Sequence, residues 1–195
     1  MLDKSVPFID VLMQRKKGAP VPDYSLPQGY SFALFKMGDE NAWAKIETSV
    51  LEFDSEEAAL NRFERQFLPH VPDLEKRCLF VQDDNGEKIA TSTAWWCCEK
   101  RCDPWLNWVA VKPEHQGRGI GKAIVSRATQ IMLELDGDKD FYLHTQTWSH
   151  RAIKLYEKMG YFITARKNLC RYSNEDYEKA IALLKKIYAE YPSGD

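Results

Sequence analysis

The stretch from Val109 to Val125, VAVKPEHQGRGIGKAIV, constrains the fold more than any other part of the chain. It leaves an apolar, β-branched run, passes Lys112-Pro113, and sets Gly117, Gly119 and Gly121 at alternate positions before a helical pattern resumes. Glycine in a helix is disfavoured by about 1 kcal/mol relative to alanine, so a bare backbone at this point needs a reason. The preceding segment, WLNWVAV (105–111), reads as a strand, residues 121–135 as a helix, and FYLHTQT (141–147) as the next strand. A strand–turn–helix–strand unit crosses over right-handed, which makes the two strands parallel neighbours. The helix N-terminus then offers unpaired N–H groups and a partial positive charge. A turn without Cβ atoms lets a bulky anion reach them, as a phosphate or pyrophosphate would.

The remaining elements surround this unit. YSFALFKM (30–37) alternates as a strand, and ENAWAKIETSVLEF places Trp43, Ile46, Val50 and Leu51 at helical spacing. Asp54 followed by Glu57 resembles a capping box for a second helix to about Phe67, stopped by Pro69 and Pro72. RCLFVQ (77–82), DDNG (83–86) and EKIATSTAWW (87–96) predict a β-hairpin, with Asn85-Gly86 supplying positive φ at both turn positions. The strand at 105–111 extends that meander. HRAIKLYEKM (150–159) is a helix closed by Gly160, and YFITAR (161–166) and NLCRY (169–172) are short strands. From Ser173 to Tyr191 an amphipathic helix carries Ile181, Leu184, Ile187 and Tyr191 on one face. Residues 1–28, punctuated by Pro7, Pro20, Pro22 and Pro27, read as an arm on the surface. The whole is one α/β domain, a mixed sheet with an antiparallel meander followed by a parallel strand pair. Its core is 30–172 and 173–191 is an appended helix.

Composition narrows the function classes. Hydrophobic residues make up 44% of the 195, as in a folded globular chain, and 27 basic against 29 acidic residues give a net charge of −2. Such a balance argues against a global attraction to nucleic acid or anionic lipid. The first twenty residues carry Asp3, Pro7 and Asp10, so they form neither a signal peptide nor a membrane span, and the expected location is cytoplasmic. The five cysteines, Cys78, Cys97, Cys98, Cys102 and Cys170, are expected to be reduced thiols. Cys97-Cys98 with Cys102 lacks a matching Cys/His pair at zinc spacing, so no metal is expected.

Two phosphate motifs fail on spacing. The mononucleotide loop needs Gly where Gln116 stands and Ser/Thr where Ala123 stands. The dinucleotide fingerprint needs a small third residue where Lys122 or Ile124 falls, and it opens a sheet instead of following a meander. Gln116-x-x-Gly119-x-Gly121, after an apolar strand and before a helix, instead resembles the acyl-CoA motif of the GNAT superfamily of N-acetyltransferases. WSHRAIKLYEKMGYF (148–162) is similar to that family's later signature, with Ala152, Leu155, Tyr156, Lys158 and Gly160 in register. Tyr161 replaces the common Phe, and Ser149 stands where Asn is usual.

The resemblance implies a GNAT-like fold and transfer of an acetyl group from acetyl-CoA to a primary amine by direct attack in a ternary complex. It implies that the backbone of Val109 and Val111 pairs with pantetheine like an added strand. The turn with Gln116, Gly117, Arg118, Gly119, Ile120, Gly121 and Lys122 would hold the pyrophosphate, and Ser149 would meet the pantetheine arm. Tyr156 would be the general acid for the departing thiolate; a tyrosine keeps its proton at neutral pH and can donate it. No base is evident, because strand 105–111 offers only Asn107, while Glu99, Asp103 and His115 are near in sequence alone. Trp95, Trp96, Trp105 and Trp108 suggest an acceptor of apolar or cationic character. The expected partners are acetyl-CoA and an amine acceptor of unread identity, in a monomer or homodimer. A CoA-binding module of the same fold without transferase chemistry is the alternative reading.

Overall fold

The computed structural model describes residues 2–97, 103–166, 168–169 and 172–190. Strands β3 (Cys78–Asp83), β4 (Lys88–Trp96) and β5 (Pro104–Val111) form the antiparallel meander that the hairpin pattern predicts. Alternation sends their side chains into two cores. Leu79 and Val81 pack on one face with Ile120, Ile124 and Ala128, while Cys78 and Phe80 pack on the other with Trp43, Phe63 and Phe67. The turn between β3 and β4 differs from the expectation: Gly86 alone has positive φ and Asn85 does not, so one left-handed residue closes it. Cys78 is a free, buried thiol, whereas Cys97 is disulfide-bonded, which corrects the expectation of reduced thiols throughout. Cys98, Cys102 and Cys170 lie outside the described residues.

Helix α4 (Ile120–Asp136) follows β5 and leads to β6 (Phe141–Gln146), which pairs with β5 in parallel at Trp105↔Tyr142, as expected. At its far end α4 is anchored by Asp136, whose carboxylate takes two bonds from Arg77 at 2.8 and 2.9 Å. The two side chains are 8% and 6% exposed, and the Arg77 guanidinium also lies 3.8 Å from the centre of the Trp96 ring. Removing one partner of a buried pair strands the other charge. Asp136→Ala is therefore expected to cost about 3–5 kcal/mol, read as a lowered midpoint in urea unfolding.

The main correction is at the N-terminus. Asp10–Arg15 is strand β1, inserted antiparallel between β6 and β7 (Tyr161–Ile163), with Val11, Leu12 and Met13 completely buried. Among the described residues, seven strands form one sheet in the order β2-β3-β4-β5-β6-β1-β7, with β2 (Tyr30–Leu34) at the far edge. Short strands β8 (Asn168–Leu169) and β9 (Tyr172–Ser173) pair separately.

Helices α1 (Glu40–Ser49) and α2 (Glu56–Phe67) cover the second core. Ser55, one residue later than expected, caps α2 by accepting from the Ala58 N–H at 3.1 Å. A helix the sequence did not signal, α3 (Val71–Arg77), leads into β3. Helix α5 (His150–Lys158) precedes β7, and the terminal helix α6 (Tyr177–Glu190) docks through Ala180, Leu184, Ile187 and Tyr188. Ile181 is only half-buried, and Tyr191 lies outside the described residues.

Candidate functional site

The parallel pair forks. Beyond the bridge at Trp105↔Tyr142, β5 and β6 bound a cavity of about 280 Å³, lined by Leu106 to Val109 from one strand and His144 to Gln146 from the other. A bulge helps to open it: Thr91 faces Ala110 and Thr93 faces Asn107, so Trp108 and Val109 together oppose Ser92. Trp108 sits in left-handed backbone at φ +53°, an uncommon state for a bulky residue that is found at functional turns and bulges.

Of the residues singled out in the sequence, Asn107, Trp108, Val109, Ser149, Ala152 and Tyr156 line this cavity. Tyr156 projects from α5 and is buried; burial pushes its hydroxyl well above the usual phenol range, with Glu47, Tyr161 and Glu52 adding to the effect. It stays protonated through the neutral range. Ser149 occupies the N-cap of α5 without a side-chain capping bond. Val111 does not line the cavity; its carbonyl accepts from Gln116 Nε2 at 2.8 Å, so Gln116 ties the turn to the strand.

The glycine turn lies at the start of α4, beside this cavity's strand but outside its lining. Gly117 and Gly119 have φ +76° and +86°, and a Cβ at either would face open space. The requirement is conformational: left-handed backbone that also leaves the first amides of α4 uncovered. The Ile120 side chain is buried in the core, so only its backbone faces the turn. Arg118 donates to Tyr30 Oη at 3.0 Å and to the Glu114 carbonyl, and Lys122 lies over the Tyr24 ring.

Sequence reasoning missed the acidic side of the cavity. Glu47 projects from α1 and Glu52 from the loop after it. Leu51, expected on the helix face, is instead exposed in left-handed backbone at φ +69°, and this turn lets the Glu52 N–H donate to the Glu47 carbonyl at 3.2 Å. Glu47 is 2% exposed, and its Oε1 has no hydrogen-bond partner. Burial, reinforced by Glu52, holds its carboxyl well above the usual range. Burial also raises Glu52, against the opposing pull of Lys4 and a hydrogen bond with Gln146. The signal was present: Glu47 lies four residues after Trp43, on the apolar stripe of its helix.

The tryptophans divide. Trp95, Trp96 and Trp105 are buried, and only Trp108 lines the cavity. Its ring stacks on Phe53 at 5.5 Å, carries the Arg62 guanidinium at 5.5 Å, and donates from Nε1 to Gln66. Through these neighbours that half-buried ring braces the wall. Among the described residues no cluster of three or more metal-ligating side chains occurs. No described helix is long and apolar enough to cross a membrane.

A mixed sheet whose parallel strands fork over a cavity, with a glycine turn opening the crossover helix, defines the architectural class. Within that class, the sequence model of the acetyltransferase (GNAT) family matches residues 41–161. The chain belongs to the GNAT family. It is 27% identical over 131 residues to the chloroplastic GCN5-related N-acetyltransferase 5 of Arabidopsis thaliana, covering 58% of this chain and 40% of that one. It is 26% identical over 149 residues to the mycothiol acetyltransferase of Pseudarthrobacter chlorophenolicus, covering 73% and 46%. The chain thus spans less than half the length of these two curated relatives. Among solved structures, a GCN5-related N-acetyltransferase from Sphaerobacter thermophilus superposes with a TM-score of 0.63 at 20% identity, covering 80% of this chain and 48% of that one.

Proposed function

We propose that this protein transfers an acetyl group from acetyl-CoA to a primary amine by direct attack within a ternary complex. The observation that carries the reading is Tyr156, a buried and protonated hydroxyl in the cavity at the β5/β6 fork, on the strand pair whose crossover helix opens with the glycine turn. The first amides of α4, left bare by Gly117 and Gly119, suit the pyrophosphate through the helix-terminal charge, while Gly121 sits against the Leu155 side chain. The backbone of Val109 at the cavity suits the pantetheine amides, and Val111 is held in place by Gln116. Arg118 and Lys122 add positive charge around the phosphates. Ser149 borders the arm as it enters the cavity.

The amine nitrogen attacks the thioester carbonyl, the C–N bond forms, the C–S bond breaks, and Tyr156 gives its proton to the leaving sulfur. The second proton on nitrogen returns to the phenolate, regenerating Tyr156. An amine screen for release of CoA thiol, after calorimetric titration with acetyl-CoA, tests the reading. CoA binding with no thiol release from any amine would favour the silent binding module instead.

The turn supplies its own prediction. Gly119→Ala places a Cβ in left-handed backbone, at a cost of about 1–2 kcal/mol. Borne by the binding-competent turn, that cost weakens acetyl-CoA about tenfold. Calorimetry of the variant checks it, with an unchanged acceptor KM expected.

A further inference from the structure

Acetyl transfer to an amine has one further requirement. An amine reaches the protein as an ammonium ion and must lose a proton before its lone pair can attack. The acidic wall of the cavity holds a carboxyl placed for this. Glu47 is almost wholly buried, lines the cavity together with Tyr156, and has an Oε1 without a partner. Glu52 lines the same wall, held there by the left-handed turn at Leu51. A buried carboxylate without a cation is costly, and two together more so. An ammonium ion entering the cavity removes that cost, whereas an acceptor carrying a carboxylate would increase it.

We infer that Glu47 is the base of the reaction and that the Glu47–Glu52 wall selects compact cationic amines and rejects amines that bear a carboxylate. This rests on the proposed acetyl transfer and names the acceptor class for the same site. R–NH3+ passes one proton to the Glu47 carboxylate; the free amine attacks; Tyr156 protonates the sulfur and recovers a proton from the new amide nitrogen. The net proton leaves through Glu47 to solvent, so the charges balance. The cavity of about 280 Å³ limits the acceptor to a small molecule or a slender alkyl-ammonium end.

The charged and titratable groups around Glu47 come from several elements. Glu52 follows α1, Cys78 lies on β3 and Tyr156 on α5; Lys4 acts on Glu52, and Arg62 and His144 line the same cavity. None donates a hydrogen bond to Glu47 Oε1.

The test uses a matched set of acceptors with the full chain: putrescine, n-butylamine and γ-aminobutyrate, which share a four-carbon spine and differ at the far end. Thiol release with putrescine and n-butylamine is expected to exceed that with γ-aminobutyrate by about 100-fold in kcat/KM, since like charge facing a buried pair is strongly disfavoured. Glu47→Gln is expected to lower turnover of putrescine about 100-fold or more, the usual contribution of a positioned base. Its acetyl-CoA affinity should be unchanged, which also shows that the variant folds. Glu52→Gln should keep more of the turnover than Glu47→Gln while narrowing the preference against γ-aminobutyrate. The inference is overturned if γ-aminobutyrate is used as well as putrescine. It is also overturned if Glu47→Gln retains full turnover, or if acetyl-CoA binds and none of the three amines is acetylated. Failure to bind acetyl-CoA at all would instead overturn the proposed function beneath it.

Discussion

Tyr156→Phe is expected to lower kcat about 10²- to 10⁴-fold, the range over which a positioned proton donor contributes, while acetyl-CoA affinity stays within about twofold, well under 1.4 kcal/mol. Only the hydroxyl is removed, and the ring remains among the buried side chains of the first core. Burial raises the Tyr156 hydroxyl, so the acid form persists across the working range and the variant should lose rate at every pH tested. A second consequence separates this role from packing. Acetyl thioesters with a more acidic leaving thiol need less help from a donor, so they should be affected less by the substitution. Steady-state kinetics on two such donors checks it, and an unchanged kcat with both would remove Tyr156 from the chemistry.

The largest stability effect is expected at the strand that looked like an arm. Deleting residues 2–18 should abolish cooperative unfolding. Val11, Leu12 and Met13 have no exposed surface, and large-to-small changes at such positions cost about 2–5 kcal/mol each. The sum exceeds the whole stability of a typical domain, about 5–15 kcal/mol, once the hydrogen bonds of β1 to both β6 and β7 are also lost. The deletion would also uncover Leu12's neighbours Trp105 and Tyr142 at the base of the fork. Leu12→Ala is the milder form. It should lower stability by about 2–5 kcal/mol, read in urea, and weaken activity only as far as the fork loosens. A surface arm would predict almost no change in either variant.

That strand also shows where the sequence stops being legible. DVLMQR is a short apolar run without alternation, because it is buried on both faces between β6 and β7. Such a run carries no period to distinguish it from loop, and the prolines around it pull the reading towards a linker. Its partners lie more than a hundred residues away, so nothing local announces them. The meander, the crossover unit and the glycine turn were legible for the opposite reason: each is set by neighbours in sequence, through alternation, turn chemistry and helical period.

The site divides in the same way. Val109, Ser149 and Tyr156 could be read because they sit in two contiguous segments that the fork brings together. Arg118 and Lys122 could be read as charges near a turn, but their contacts to Tyr30 and Tyr24 depend on a strand and a loop far upstream. Glu47 was not legible in the same way, because it lies on α1, far upstream of the two segments that carry the motifs. An acid on the apolar stripe of a helix is itself the clue, since burying a carboxyl with an unpartnered oxygen is costly and perturbed carboxyls cluster at functional sites.

Acetyl-CoA labelled in the acetyl group gives the most direct test of the central claim. The protein is mixed with the labelled donor, first alone and then with putrescine, and the label is followed by mass spectrometry. Direct transfer at the fork predicts that the label stays on CoA until the amine is added. It should then appear on the amine nitrogen with one CoA thiol released per acetyl group moved. Label trapped on a protein side chain, or thioester bound but never transferred to an amine, would contradict the account.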